Sequence, residues 1–550
     1  MITPPEHVYL NAQIVTMDPA CPQGQAMATG RGRILAVGTR DQIRAMAGKN
    51  TTIMDLGGRT ILPGLIDAHS HFLQAGFYDT FLVNLKSPPL GTIKTIDELI
   101  EKLCQVAAST PRADWIIGYG YDDTLLADKR HPVAADLDRA SAVHPIWISH
   151  VSGHLAVLNT MALTRCGIDQ HTRDPFGGKI RRGARTAKPD GILDGEPAIA
   201  LAEPGLPGWH EDDCLKAVER ASAMYAAKGV TSAQEGDAMP GDLERLVTGN
   251  SCGALAVKVQ VYPNWDFPEE LAKYPGSVIG TAITPDGMLT VGGVKMYQDG
   301  SIQAYSGYLS TPYHTQLYRQ EGGARYRGHP RHTKPDLNAA VEKAHRAGWQ
   351  VAIHANGDEA IEDVIDAIAF AQQCSPRDDA RHIIIHCQTV REDQLDRMHQ
   401  LGVIPSFFVT HTYFWGDRHH DIFLGPQRAG RLNPCGSAMT RGMPFTCHND
   451  THVTPIDPLM SVWSAVNRIS EQGRVLGPEF CVPVMEALRS VTTYAAYQNH
   501  QEAIKGSLSP GKMADMVILE DNPLTVDPMA IKDIGISATI VDDAIIYGGI

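Results

Sequence analysis

The feature that most limits what this chain can fold into is a recurring unit, an apolar strand-like run that stops at a polar or charged residue. It appears as "GLIDAHSH", "GVTSAQEGD", "LAVKVQVYP", "LTVGGVKMYQDG", "QVAIHANGD", "HIIIHCQ", "VIPSFFVTH" and "PFTCHND". Several runs follow helix-like stretches such as "LNAAVEKAHRAG" and "DVIDAIAFAQQ", with glycine near some helix ends. Eight strands alternating with helices predict an α/β fold built on a (β/α)8 TIM-like barrel, in which catalytic groups occupy the C-terminal ends of the strands. The polar residues of the runs fall at those ends.

The termini have another rhythm. "HVYLNAQIVTMD", "GRILAVG" and "TTIMDLGGRTILPG" read as short strands and turns, and "GSLSPGKMADMVILEDNP" and "ATIVDDAIIYGG" share that character, so residues 1–60 and 504–550 are expected to form one sheet-rich domain. Residues 61–503 would form the barrel. The stretch at about 73–210 is too long for one helix and reads as an insertion over the barrel mouth.

Composition removes some function classes. The formal net charge of −14 over 550 residues argues against a nucleic-acid or anionic-membrane binder, because phosphate contact needs clustered Lys and Arg. No run is apolar for long enough to cross a bilayer, and "MITPPEHVYLNAQ" lacks the basic start and apolar stretch of a signal peptide. Ten cysteines without a CxxC read as reduced thiols, so a cytoplasmic protein is expected.

The chemistry starts at "PGLIDAHSH". On an extended strand, residues two apart share a side, so His69 and His71 can converge on one point. Three further strand ends supply matching donors, His354, His386 and Asp450. Neutral imidazole and carboxylate suit a divalent ion, zinc first, with one or two ions per chain. Lys295 occupies the fourth run. Its ammonium is no ligand and could instead pair with a carboxylate such as Asp299; desolvated, the free amine could take up carbon dioxide and bridge two metals as a carbamate.

From "NAQIVTMD" through "PGLIDAHSH", "SGHLAVLN", "VKMYQDGSIQ", "HANGD" and "HND" to "GSLSPGKMADMVIL", the sequence resembles the amidohydrolase superfamily, amidohydrolase family 3, in the branch that includes the N-substituted formamide deformylases. The resemblance implies a metal-binding barrel joined to a composite β-sandwich from both termini. It also implies that His69, His71, His354 and His386 are metal ligands, that Lys295 is carboxylated, and that Asp450 is both ligand and proton shuttle. A homodimer fits the same resemblance. One departure stands out: many relatives have Gly-Ser before the last aspartate, whereas this chain has His448 and Asn449, with His448 expected beside the ligands or in the core.

These groups predict hydrolysis of a carbon–nitrogen bond in a small amide or N-substituted formamide, with Asp450 moving the proton from water to the leaving nitrogen. Aromatic residues in "SFFVTHTYFWGDRHHD" point to an apolar or aromatic substituent, with His411 and Trp415 as substrate contacts and Phe407 and Phe408 equally suited to packing. The resemblance brings "SHVSGHLAVLN" near the metal, where His154 would hydrogen-bond a substrate carbonyl or oxyanion unless it only ties its own loop. Gln303 and Tyr305, after "QDGS", are read the same way. A deaminase or cyclic-amide hydrolase is the same-fold alternative, with Asp358 and Glu359 as its acids but without the shorter His-x-x-Glu spacing. A non-catalytic scaffold is the alternative of another class.

Overall fold

The computed structural model describes residues 4–151, 153, 155–175, 178–183, 187–315 and 326–550. The chain divides into two compact units, one of residues 1–74 and 218–550, the other of residues 75–217.

In the first unit the apolar runs become two parallel sheets. Strands β1 (Leu65–Ile66), β2 (Val230–Ala238), β3 (Lys258–Pro263) and β4 (Leu289–Val291) lie side by side in chain order. Strands β5 (Val294–Tyr297), β6 (Val351–Ala355), β7 (Ile383–His386), β8 (Ile404–Phe407) and β9 (Thr446–Cys447) do the same. Every neighbouring pair is parallel. Parallel strands are covered on both faces and need continuous apolar runs, as Ile383, Ile384 and Ile385 illustrate, all fully buried.

Helices α1 (Lys334–Arg346), α2 (Asp358–Cys374) and α3 (Glu392–Leu401) connect successive strands from β5 to β8. Thr333 caps α1 by accepting the Asp336 N–H, α2 buries Ile361, Val364, Ile365 and Ile368, and α3 stops at Gly402 with φ 64°, a left-handed turn that leads into β8.

The fourth run differs from expectation, because it breaks into β4 and β5 at Gly292 and Gly293. A Cβ at Gly292 would sit 2.4 Å from the Tyr262 ring, and one at Gly293 would sit 2.5 Å from the Gln350 carbonyl. The chain steps there from one sheet to the other. Asn264, just past β3, bridges Lys295 in the parallel sense, and the Trp265 N–H donates to the Lys295 carbonyl at 2.9 Å. No ladder joins β9 to β1 among the described residues. A side chain spans that interval: Gln498 accepts from Thr446 Oγ1 at 2.7 Å and donates to the Ala68 carbonyl at 2.9 Å.

The two ends of the chain share a sheet. Thr60–Pro63 runs antiparallel to Met516–Leu519, with Ile61 opposite Ile518, and parallel to Gln13–Val15. A second sheet holds His7–Leu10, Ala26–Gly30, Arg33–Gly38 and Thr52–Asp55. Tyr9, Met27 and Ile34 from this sheet meet Ile14, Ile61, Met516, Ile518 and Ile540 from the other in one apolar core.

The second unit has its own six-stranded sheet, in the order Lys179–Arg182, Pro189–Asp194, Leu155–Leu158, Ile146–His150, Ile116–Tyr121, Val83–Asn84. Side chains alternate between its faces. Ile146, Ile148, Val157 and Ile192 join one core with the helix Ile96–Ala107, and Trp147, Ala156, Leu158 and Leu193 join another. No helix among the described residues is long and apolar enough to cross a membrane.

Lys258 opens β3 and ties it to the C-terminal segment. Its Nζ donates to both Asp515 carboxylate oxygens at 2.9 Å and to Asp542 at 2.8 Å. The Lys258 and Asp515 side chains are 5% and 3% exposed, so losing one partner strands a buried charge. Lys258→Met should destabilise the protein by about 3–5 kcal/mol in denaturant unfolding, and Asp515→Asn in the same chain should recover part of that loss.

Candidate metal centre

Strand β1 ends at Ile66, so His69 and His71 lie beyond it, and their convergence does not come from ladder alternation as the sequence pattern suggested. The segment is instead clamped against the end of β2. The Gly236 N–H donates to the Ser70 carbonyl at 2.7 Å, Ser70 Oγ donates to the Gln234 carbonyl at 2.9 Å, and the Leu73 N–H donates to Glu235 Oε2 at 2.7 Å. The His71 N–H donates to the Thr451 carbonyl at 2.8 Å. The two imidazole rings end up 5.4 Å apart and nearly perpendicular.

The other groups arrive at successive strand ends. Lys295 lies within β5, His354 is next to last in β6, His386 closes β7, and Asp450 follows β9. His386 and Asp450 hold left-handed backbones, φ 70° and 53°, a conformation uncommon outside glycine that Asp and His adopt more readily than most other residues.

The distances are those of a shared centre. Asp450 Oδ1 lies 3.5 Å from His69 Nε2 and 3.4 Å from His71 Nε2, Lys295 Nζ lies 3.1 Å from His69 Nε2, and His386 Nε2 lies 3.0 Å from His354 Nδ1. Two donors bound tetrahedrally to one zinc-sized ion stand about 3.4 Å apart. His69, His386 and Asp450 each offer an atom within 4.8 Å of the others'. His386 Nδ1 has no hydrogen-bond partner of good geometry among the described residues. The donor set therefore fits a divalent cation.

Burial sets the protonation states. It pulls His354 down to about 3, helped by the Lys295 charge, and His448 down to about 4. His69 and His386 lie well below the ordinary imidazole value for the same first reason. These imidazoles are neutral and keep a lone pair to donate. Burial also pushes the Lys295 amine down to about 8, against the opposing pull of Asp237 and Asp450. For Asp450 burial acts upward, but His386, His71 and His69 outweigh it and hold the carboxyl well below the usual range.

His448 lies beside the candidate ligands and is buried, as the sequence suggested. Its ring centroid is 5.2 Å from those of His69 and His386, it stacks on Phe408 at 5.1 Å, and neither ring nitrogen finds a hydrogen-bond partner of good geometry among the described residues. Asp299 does not pair with Lys295. It accepts the backbone N–H groups of Tyr308, Asn356 and Gly357 at 2.8–2.9 Å and so fixes the turn after His354. Asp237, which was not singled out in the sequence, accepts the Tyr297 hydroxyl at 2.6 Å, and the Tyr297 ring lies 4.8 Å from Lys295 Nζ. The carboxylate at the end of "GVTSAQEGD" was the available signal.

The expected substrate contacts are spread out. His411 stacks on Trp415 at 4.4 Å, meets Phe408 at 4.3 Å, and pairs through Nδ1 with His419 Nε2 at 3.1 Å; both His411 and Trp415 are buried. Tyr305 joins Tyr313 and Phe423 in a separate apolar cluster. Gln303 keeps a buried Oε1 without a hydrogen-bond partner among the described residues. His154 lies outside the described residues. Asp358 accepts from the Ser310 backbone at 2.9 Å and from Arg391 at 3.3 Å, which commits it to holding loops together.

Comparison with known proteins places this geometry in context. The profile described as "Amidohydrolase family" matches residues 52–547. An N-substituted formamide deformylase from Arthrobacter pascens is 26% identical over 98% of this chain and 97% of its own. Protein LONG AFTER FAR-RED 3 from Arabidopsis thaliana is 28% identical over 95% and 89%. The crystal structure of an uncharacterized metal-dependent hydrolase from Pyrococcus horikoshii superposes with a TM-score of 0.75 at 24% identity, covering 95% of this chain and 99% of that one, a likeness of fold.

A Cβ at Gly236 would lie 2.6 Å from the His69 ring and 2.9 Å from the Ser70 carbonyl, so Gly236→Ala must push His69 out of place. Its expected signature is at least roughly tenfold weaker Zn²⁺ binding, read by competition with a chromophoric chelator, in a protein of unchanged circular dichroism.

Proposed function

The chain belongs to the amidohydrolase family and is a hydrolytic enzyme acting on carbon–nitrogen bonds; on that footing we propose that it cleaves a small amide or N-substituted formamide with the help of a divalent metal. The observation that carries the reading is the meeting of His69, His71, Lys295 and Asp450 at spacings of 3.1–3.5 Å, with His386 within 4.8 Å of His69 and Asp450 and 3.0 Å from His354. We read β1–β3 and β5–β9 as the staves of one eight-stranded barrel with β4 outside it. Residues 1–60 and 504–550 make up the β-sandwich, 61–503 make up the barrel, and the insertion runs over about 73–210.

In this proposal the four histidines and Asp450 hold the metal, zinc first, and Lys295 joins them as a carbamate. A bound divalent metal acidifies water and polarises a carbonyl. Asp450 accepts the proton of the attacking water and returns it to the leaving nitrogen, which an amide needs because an amine anion leaves poorly. Its ionised state leaves it free to accept a proton, and its Oδ1 lies 3.5 Å from His69 Nε2 and 3.4 Å from His71 Nε2. His154 would donate to the developing oxyanion. The formamide class is supported by the Arthrobacter pascens relative; an apolar or aromatic substituent on nitrogen, with His411 and Trp415 as its contacts, is part of the same proposal and rests on the sequence pattern.

Two outcomes are expected. In a screen of amides and N-substituted formamides with Zn²⁺-loaded protein, Asp450→Asn should lower kcat by about 100-fold or more, and equal turnover by the variant would remove Asp450 from proton transfer. Burial lowers the Lys295 amine to about 8, which brings the free amine that takes up carbon dioxide within reach of mildly alkaline pH. Metal-loaded protein equilibrated with ¹³C-bicarbonate should therefore show a carbamate carbon resonance that Lys295→Gln abolishes.

A further inference from the structure

A second constellation lies entirely within residues 75–217. Asp123 follows the strand Ile116–Tyr121, His131 sits in the loop beyond it, and His150 ends the neighbouring strand Ile146–His150. His150 Nε2 lies 3.1 Å from Asp123 Oδ1, and His131 Nε2 lies 3.7 Å from Asp123 Oδ2. One donor atom from each of the three residues falls within 4.8 Å of the others. From this geometry we propose a second divalent-cation site, with His131, His150 and Asp123 as ligands and a Zn²⁺-class ion as occupant.

Three features favour this over a plain hydrogen-bonded trio. The 3.7 Å separation is too long for a hydrogen bond but close to the roughly 3.4 Å between two donors on one tetrahedral ion. The two imidazoles face different oxygens of the same carboxylate with their rings at 74°, so neither blocks the other. The third is a partner behind the ligand: the buried Tyr121 hydroxyl lies 3.2 Å from His131 Nδ1, which fixes that ring with Nε2 toward Asp123. A hydrogen bond on the far nitrogen is how proteins orient a metal-binding histidine.

Electrostatics and chemistry agree. The charges acting on the Tyr121 hydroxyl are Asp123, Asp122 and Asp194 against Arg181, a net negative surrounding for a cation. Two imidazoles and one carboxylate suit Zn²⁺ and its neighbours and are poor for the harder Ca²⁺ and Mg²⁺, which take mainly oxygen.

The experiment uses full-length protein carrying His69→Ala and His386→Ala, so that binding at the other centre does not obscure the reading. Stripped of metal and titrated with Zn²⁺ in equilibrium dialysis, this protein should retain one equivalent per chain, and Co²⁺ in its place should give d–d absorption of a low-coordinate site. Adding His131→Ala and His150→Ala should abolish both signals, Asp123→Asn should weaken binding, and Tyr121→Phe should weaken it about 10–100-fold. No binding in the first protein, or binding that the Asp123 and histidine changes leave intact, overturns the proposal. Circular dichroism identifies a misfolded variant, and the first protein and Asp123→Asn then decide the matter. Failure of the amide-hydrolase reading would leave these results untouched.

Discussion

Everything at the candidate centre depends on one electrostatic constraint: a lysine, a carboxylate and several imidazoles are buried together with little else to neutralise them. In water each would be solvated. Here burial holds the His69, His354 and His386 imidazoles below their ordinary value and brings the Lys295 amine to about 8, while the surrounding histidines keep the Asp450 carboxyl below the usual range. Burying such groups costs free energy unless a partner compensates, and the partner that matches neutral nitrogen donors at this spacing is a cation. The fold tolerates the cost because parallel strands converge at one end and the cluster draws on several of them.

The surroundings are arranged to hold that cluster still. Asp299 pins three backbone N–H groups beside His354, Gly236 leaves room for the His69 ring, and Gln498 spans from Thr446 to Ala68 where no ladder does. His386 and Asp450 adopt left-handed backbones there, a conformation uncommon outside glycine.

Much of this could be read from the sequence, because apolar runs that end in polar residues encode both the strands and their ends. His354 and His386 fall at or beside strand ends for that reason. Alternation was the wrong reason for the His69–His71 convergence, since the strand stops first and long-range hydrogen bonds to Gly236 and Thr451 do the work. The placement of His448 beside the ligands was legible, because it lies two residues from Asp450; its stacking on Phe408 was not. The same limit hid the trio in the second unit, because Asp123 and His131 are joined to His150 only by the pairing of Ile116–Tyr121 with Ile146–His150. Trp415 and Tyr305 turned out buried for a comparable reason: pattern cannot separate an aromatic ring that lines a pocket from one that packs beneath it.

Anomalous diffraction at the zinc absorption edge, from crystals of Zn²⁺-loaded protein, tests the central claim most directly. A peak is expected about 2.0–2.2 Å from imidazole nitrogens of His69 and His71 and from a carboxylate oxygen of Asp450. Loaded crystals with no peak among these side chains, or with the imidazoles turned away from a common point, would contradict it.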